Sequence, residues 1–294
     1  MDKWHIHGLD VSLSLKNGVE STMKLDRENR TFDCDPGLTD TQVLEFCKQG
    51  AIVLEGVVPD EINQRAYAYL DEYPIGEPSM IVLEDWFLEN VLLHPQVAGA
   101  VRSVLGRNVG LPVLMSNHRA KCPAPAQGWH HDGDSVFGPE VNYLQVFYYP
   151  QDVNPEMGPT EILPGSHLAP TNQDLEWGGG RLMGSPAGTV FITMYSILHR
   201  KSASTATGIR NMLKWSYWRT VPPQRDWIIE PEFDFHTTNY GGHGSAKLVA
   251  HKFYWLCGKA HEFRTIGGQS WPYSGSQANQ IDKSYGFPSG PPQW

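Results

Sequence analysis

The stretch Trp129-His130-His131-Asp132 decides how this chain is read. His130 and Asp132 stand two apart. On a β-strand alternate side chains share a face, so the imidazole and the carboxylate project together. A third imidazole from a distant strand completes a face of two histidines and one carboxylate. Such a face leaves coordination positions open and is the ligand set of non-haem Fe(II) centres. His199 is the candidate third ligand. Arg210 lies eleven residues beyond it, at the expected start of a new strand, where its planar fork suits a carboxylate held by two bonds. His131 competes with His130, but its partner at the same parity is Gly133, which cannot ligate. Asp134 shares the parity of Asp132 and reads as a support for the next loop, a partner to a ligand or a substrate contact. For a lone His-x-Asp an exposed strand-edge turn is the plainer reading. The third histidine and the arginine, in this order, favour a metal.

Composition bounds the rest. The chain has 294 residues, 40% of them apolar, with ten Trp and twelve Tyr, enough to fill a sizeable core. No apolar run is long enough to cross a membrane, and the N-terminus lacks the pattern of a signal peptide. A cytoplasmic protein is expected. The net charge of −9 argues against a nucleic-acid partner. Cys34, Cys47, Cys122 and Cys257 form no Cys-x-x-Cys pair, so a zinc or iron–sulfur cluster site is not expected and the thiols should be reduced. Cys122 reads as a small buried apolar residue.

Local patterns divide the chain. Asn17-Gly18 between alternating runs predicts a hairpin over residues 9–25. Helices are expected over 40–48, capped by Thr39 or Asp40, then over 59–71, 84–93 and 95–105, with a strand at 51–55 between the first two. From about residue 110 short β-rich runs follow, at 112–120, 140–149, 159–163, 188–194 and 209–220. Such spacing without intervening helices predicts a double-sheet jelly roll in a mainly β protein, with helices packed on one sheet. One domain spanning residues 1–294 is expected, built as an N-terminal hairpin extension (1–38), helical support (39–109), a jelly-roll core (110–222) and a C-terminal covering segment (223–294). That last segment carries many aromatics, including Trp227, Phe233, Phe235, Tyr240, Phe253 and Trp271, amid glycines and little periodicity. It reads as a lid over the pocket or, equally, as a structural cover or dimer contact, so a homodimer stays open.

The ordered set Trp129-His130-His131-Asp132, Gly158-Pro159-Thr160-Glu161-Ile162-Leu163-Pro164-Gly165-Ser166-His167, His199 and Arg210 resembles the phytanoyl-CoA dioxygenase family of Fe(II)/2-oxoglutarate-dependent oxygenases. The run from Gln49 to Pro59, His94-Pro95-Gln96-Val97 and Leu105-Gly106 extend the likeness from about residue 40 to about residue 222. Met157 departs from it, where the family usually has a polar residue. The resemblance implies a cupin-like double-stranded β-helix. It also implies His130, Asp132 and His199 as metal-binding and catalytic residues and Arg210 as the anchor of the distal carboxylate of 2-oxoglutarate. The cofactors implied are Fe(II), 2-oxoglutarate and O₂, with ascorbate as an assisting reductant. Asp132 argues against the halogenase branch, which by resemblance loses this carboxylate.

Gln145, a polar residue in an apolar run, and Thr160 are further cosubstrate candidates; a satisfied core amide and plain β-propensity are the alternatives. Gln127, Trp129 and His118, with Arg119 beside it, are candidates for the substrate pocket. Lys214 is expected to snorkel outward, and Pro164-Gly165-Ser166-His167 to form a shaping turn. The implied reaction is oxidation, chiefly hydroxylation, of a small organic molecule such as a specialised metabolite or amino-acid-like compound, with release of succinate and CO₂. The competing readings are a cupin-like isomerase or direct dioxygenase that does not use 2-oxoglutarate, and a non-catalytic binding protein.

Overall fold

Helix α1 (Asp40–Gln49) begins at a reciprocal cap: the Thr39 hydroxyl accepts from the Gln42 N–H, and the Gln42 side chain accepts from the Thr39 N–H. It ends at Gly50, whose φ of 78° is left-handed. The computed structural model describes residues 23–133, 135–171, 179–234 and 243–261. α2 (Asp60–Glu72), α3 (Asp85–Phe87) and α4 (Pro95–Leu105) follow in sequence. The expected helix over 84–93 is instead α3 running into a π-turn at Leu88–Leu92. There the Leu93 N–H reaches the Leu88 carbonyl at 2.7 Å, a widened turn in which Leu88, Val91, Leu92 and Leu93 are all buried.

The strands are β1 (Lys24–Asp26), β2 (Thr31–Asp33), β3 (Ala51–Leu54), β4 (Val109–Gly110), β5 (Ser116–Asn117), β6 (Ala120–Ala124) and β7 (Tyr143–Tyr149). They continue with β8 (Thr160–Ile162), β9 (Arg181–Leu182), β10 (Thr189–Met194), β11 (His199–Lys201), β12 (Ser204–Arg210) and β13 (Leu213–Trp218). The large sheet runs β1-β2-β4-β13-β7-β10-β3, with β5 also on β13. Facing it are two pieces, β11-β8-β9 and β12-β6. The Gln127 N–H to Lys201 carbonyl bond and the His130–His199 bridge continue the β12-β6 ladder into β11, so the pieces act as one bent second sheet. The result is a jelly roll of two sheets that do not close into a barrel. The β1-β2 hairpin extends the large sheet; the hairpin expected around Asn17-Gly18 lies outside the described residues.

Strand alternation builds two cores from one sheet. Leu144, Val146 and Tyr148 of β7, Val190 and Ile192 of β10, and Leu213, Trp215 and Tyr217 of β13 pack toward the helices. Phe147, Tyr149 and Phe191 turn the other way and meet Ile162 and Met212 between the sheets. Phe147 and Phe191 stack with centroids 4.5 Å apart. This dry inter-sheet layer floors the site described below. All four cysteines are free and buried, and Cys122 sits at 4% exposure. Among the described residues no helix is long and apolar enough to cross a membrane.

The strand expected over 209–220 is broken. Arg210 ends β12 rather than opening the next strand, and β13 starts at Leu213. Asn211 makes the break: its N–H donates to Gln151 Oε1, and its Oδ1 accepts from Asn117 and Arg119. These bonds pin the chain where it crosses between sheets. The C-terminal segment also differs from expectation. It contains a helix, α5 (His243–Leu256), that packs on α1 and buries Leu248, Val249, Phe253 and Tyr254. Upstream of α5 the chain straps across the N-terminus of α1. Asp40, fully buried, accepts from Arg225 Nε at 2.8 Å, from Trp227 Nε1 at 2.8 Å and from the Glu230 N–H at 2.9 Å. Arg102 of α4 pairs with Asp33 and Asp226. Phe235, Tyr240, Phe263 and Trp271 lie outside the described residues.

Pro164-Gly165-Ser166-His167 is a structural turn, with Ser166–Leu168 forming a single 3₁₀ turn. His167 is fully buried against the end of α1, its Nε2 2.9 Å from the Cys47 carbonyl. Burial, then the charge of Lys252, holds its pKa down to about 3, well below the ordinary imidazole value. The folded chain therefore keeps His167 neutral while the unfolded chain takes up a proton below about pH 6.5. Stability falls as pH drops through this window, until the folded pKa is reached. At about 1.36 kcal/mol per pH unit, the loss from this residue by pH 4.5 is on the order of 2–3 kcal/mol. Urea midpoints at pH 6.5 and 4.5 should differ less in His167→Gln than in the wild type. Equal pH slopes would remove this histidine as the source.

Candidate metal centre

His130 follows the second-sheet ladder, Asp132 lies just past it, and His199 opens β11. The two histidines pair across the sheet, with backbone bonds of 3.1 and 3.0 Å in each direction and ring centroids 4.6 Å apart. One ligand atom from each of His130, Asp132 and His199 lies within 4.8 Å of the others. Both imidazoles are aimed by backbone carbonyls: His130 Nδ1 meets Gly128 O at 3.0 Å, and His199 Nδ1 meets Ile197 O at 3.0 Å. With Nδ1 donating, each Nε2 keeps its lone pair for a metal. Desolvation holds the His199 pKa down to about 4, so the ring is neutral at neutral pH. His131 points away, its Nδ1 on Ser196 O at 2.8 Å and its ring edge-on to Phe137. The structure thus brings His130, and not His131, beside Asp132 and His199, although residues 130–132 do not form a regular strand.

Asp132 is held from one side. Its Oδ2 accepts from Lys214 Nζ at 2.7 Å and from Gln145 Nε2, while Oδ1 lies 3.7 Å from His199 Nε2. Burial pushes this carboxyl up, but the Lys214 hydrogen bond and charge, then His199 and Gln145, outweigh it and leave it below the usual carboxylate value. Lys214 thus turns inward, against the expectation that it snorkels to solvent. The alternation of β13 explains this, because Leu213, Trp215 and Tyr217 fill the helix-side core and send Lys214 to the opposite face. The same alternation was visible in the sequence and is the signal that places Lys214 at the site.

Arg210 is 2% exposed. Its Nη2 reaches the His118 carbonyl at 3.4 Å, while Nε and Nη1 have no partner among the described residues. A buried guanidinium with open donors is a costly arrangement, and a bound carboxylate relieves it. The remaining candidates are spread around this centre. Thr160 is buried between the sheets, its hydroxyl already engaged by Tyr149 and Met212. Gln145 spends its amide nitrogen on Asp132. Trp129 carries Arg200 over its ring at 4.4 Å, and exposed Gln127 bonds to the backbone of Lys201. His118 is exposed, and Arg119 is taken by Asp71 and Asn211. Asp134 lies outside the described residues.

A cavity of about 690 Å³ opens beside the triad. Residues 136–143, which follow Asp132, form one wall; Tyr195, Ser216 and Lys252 are among the others. Ser216 is the register partner of Gln145, and the Tyr195 hydroxyl donates to the Gly133 carbonyl. These contacts join the cavity to the metal face, although none of the three ligands lines it. Sequence reading missed Tyr195, Ser216 and Lys252, because they come from three separate elements.

Known proteins agree with this architecture. The model of the phytanoyl-CoA dioxygenase (PhyH) family matches residues 79–179, which include His130 and Asp132 and stop short of His199. The fold is similar to that of HygX from Streptomyces hygroscopicus with nickel and 2-oxoglutarate bound, at 16% identity over 65% of this chain and 90% of that one, with a TM-score of 0.51. HygX with iron bound is similar at 17% identity over 71% and 96%, with a TM-score of 0.50. No curated protein matches the chain.

Proposed function

We propose that this protein is a non-haem Fe(II)/2-oxoglutarate-dependent oxygenase acting on a small organic molecule. The observation that carries the reading is Arg210, a buried guanidinium with two open nitrogens on the same inter-sheet layer as a His-Asp-His face. An isomerase or direct dioxygenase has the three ligands but no use for this unpaired fork. A binding protein has no use for two imidazoles aimed by carbonyls at one point.

In this reading His130, Asp132 and His199 hold the iron. When bound, the iron and 2-oxoglutarate supply the oxidising power, coupling cosubstrate decarboxylation by O₂ to substrate oxidation. The chain supplies position and dryness. Arg210 takes the distal carboxylate of the cosubstrate by a paired charge-assisted contact. Gln145 and Lys214 fix the orientation of Asp132. Phe147, Phe191 and Tyr149 keep water from the floor of the site. The 690 Å³ cavity has the size of a small-molecule site and supports a substrate of that scale. HygX with hygromycin B bound has the same fold at a TM-score of 0.50, consistent with a substrate of the specialised-metabolite kind. We further propose that the whole chain serves one catalytic unit.

Purified protein given Fe(II), ascorbate, O₂ and 2-oxoglutarate should release succinate slowly without substrate. It should do so faster with a molecule that fits the cavity. Failure to bind 2-oxoglutarate at any Fe(II) concentration would overturn the reading.

A further inference from the structure

The two oxygens of Asp132 have unlike surroundings, and Lys214 makes the difference. Its ammonium sits 2.7 Å from Oδ2 on a side chain only 15% exposed, and 5.9 Å from the centre of the Phe147 ring. It reaches there because β13 alternates, not because the chain is loose. The Arg210 guanidinium touches the His118 carbonyl. Lys214, Arg210 and Asp132 all act on His118, so two cationic side chains and one carboxylate share this neighbourhood, with Lys214 the one in contact with Asp132. A divalent ion entering the triad adds two positive charges to a region that already has a cationic excess. A dicarboxylate arriving beside it takes two away. In a low-dielectric site such charge counts decide which species bind together.

We infer that Lys214 makes metal and cosubstrate binding interdependent. The ammonium opposes a divalent ion held alone by the triad, and a dianionic 2-oxo acid relieves that opposition. Lys214 acts through Asp132 and through charge, as a positioning residue. The same lysine, with Gln145, occupies Oδ2 and so leaves Oδ1 as the metal-facing oxygen. The coupling is reciprocal: whatever factor 2-oxoglutarate adds to metal affinity, the metal adds to 2-oxoglutarate affinity. The consequence for the enzyme is that it holds little iron without cosubstrate, which limits idle reaction with O₂. The inference rests on the oxygenase reading above.

The test is calorimetric titration of Mn(II), which is redox-silent, with and without 2-oxoglutarate. In the wild type, 2-oxoglutarate should tighten Mn(II) at least about tenfold. Typical coupling factors are about 5–150-fold. Lys214→Met should cut the coupling factor at least about fivefold. Lys214→Gln keeps a donor for Asp132 without the charge and should cut it similarly. Lys214→Arg should retain it. Should the Met variant fold poorly by circular dichroism, the Gln variant carries the test. Wild-type coupling in folded Lys214→Met or Lys214→Gln overturns the inference while leaving the oxygenase reading intact. A wild type that binds neither Mn(II) nor 2-oxoglutarate overturns that reading instead.

Discussion

Arg210→Ala should weaken 2-oxoglutarate binding at least about tenfold while leaving metal affinity in the absence of 2-oxoglutarate within a few-fold of the wild type. The lost contacts are charge-assisted hydrogen bonds, worth on the order of 1.5–3 kcal/mol each. Arg210→Lys should also be impaired, because an ammonium cannot reproduce the planar fork. The structure adds a second expectation of opposite sign. Arg210 is 2% exposed, and among the described residues Nε and Nη1 meet no partner. A buried charge with open donors destabilises the fold, so an apolar side chain of similar length should relieve the strain. Arg210→Met should raise the thermal midpoint of the ligand-free protein while abolishing its stabilisation by 2-oxoglutarate. A variant that melts lower than the wild type, yet still gains stability from 2-oxoglutarate, would show that Arg210 is a structural cation.

His199→Ala should lose metal by at least about a hundredfold, beyond the 10–100-fold typical of losing a supporting partner to a ligand. His130→Ala and Asp132→Ala should behave alike, and activity should fall in step with metal content. His131→Ala is the internal control. Its imidazole bonds to the Ser196 carbonyl and leans on Phe137, so it should keep the metal. Metal content measured on the four purified variants in the presence of 2-oxoglutarate checks all of this at once. Full occupancy in His199→Ala would remove that ligand from the assignment.

What could be read in advance followed the reach of each physical signal. The parity of His130 and Asp132 is a property of two neighbouring residues and needs no tertiary knowledge. The capping box at Thr39 and Gln42 and the proline start of α4 are equally local. The end of β12 at Arg210 was misjudged because Asn211 is pinned by Gln151, Asn117 and Arg119, residues 60 to 94 positions away. α5 is not legible although Leu248, Val249, Phe253 and Leu256 share a helical face, because Gly241 and Gly242 precede it and Gly244 sits in its first turn, and together they mask the period. Lys214 was misplaced by weighing its charge over its strand position. The cavity was invisible for a plainer reason: its walls come from β10, β13, α5 and a loop, and nothing local announces their meeting.

The strap at Asp40 sets the order in which the chain is able to assemble. Asp40 is fully buried, and its partners Arg225, Trp227 and Glu230 are 185 to 190 residues downstream. During synthesis α1 emerges early, yet its first carboxylate must stay hydrated until more than three-fifths of the chain has followed. Seating of α1 is therefore a late event, and until then Val43, Leu44, Phe46 and Cys47 lack their final cover. Chains released before residue 225 carry an exposed apolar helix face and a carboxylate with nowhere to dock. Such fragments should aggregate rather than accumulate as folded, inactive protein, which makes the last quarter of the chain a checkpoint on complete synthesis.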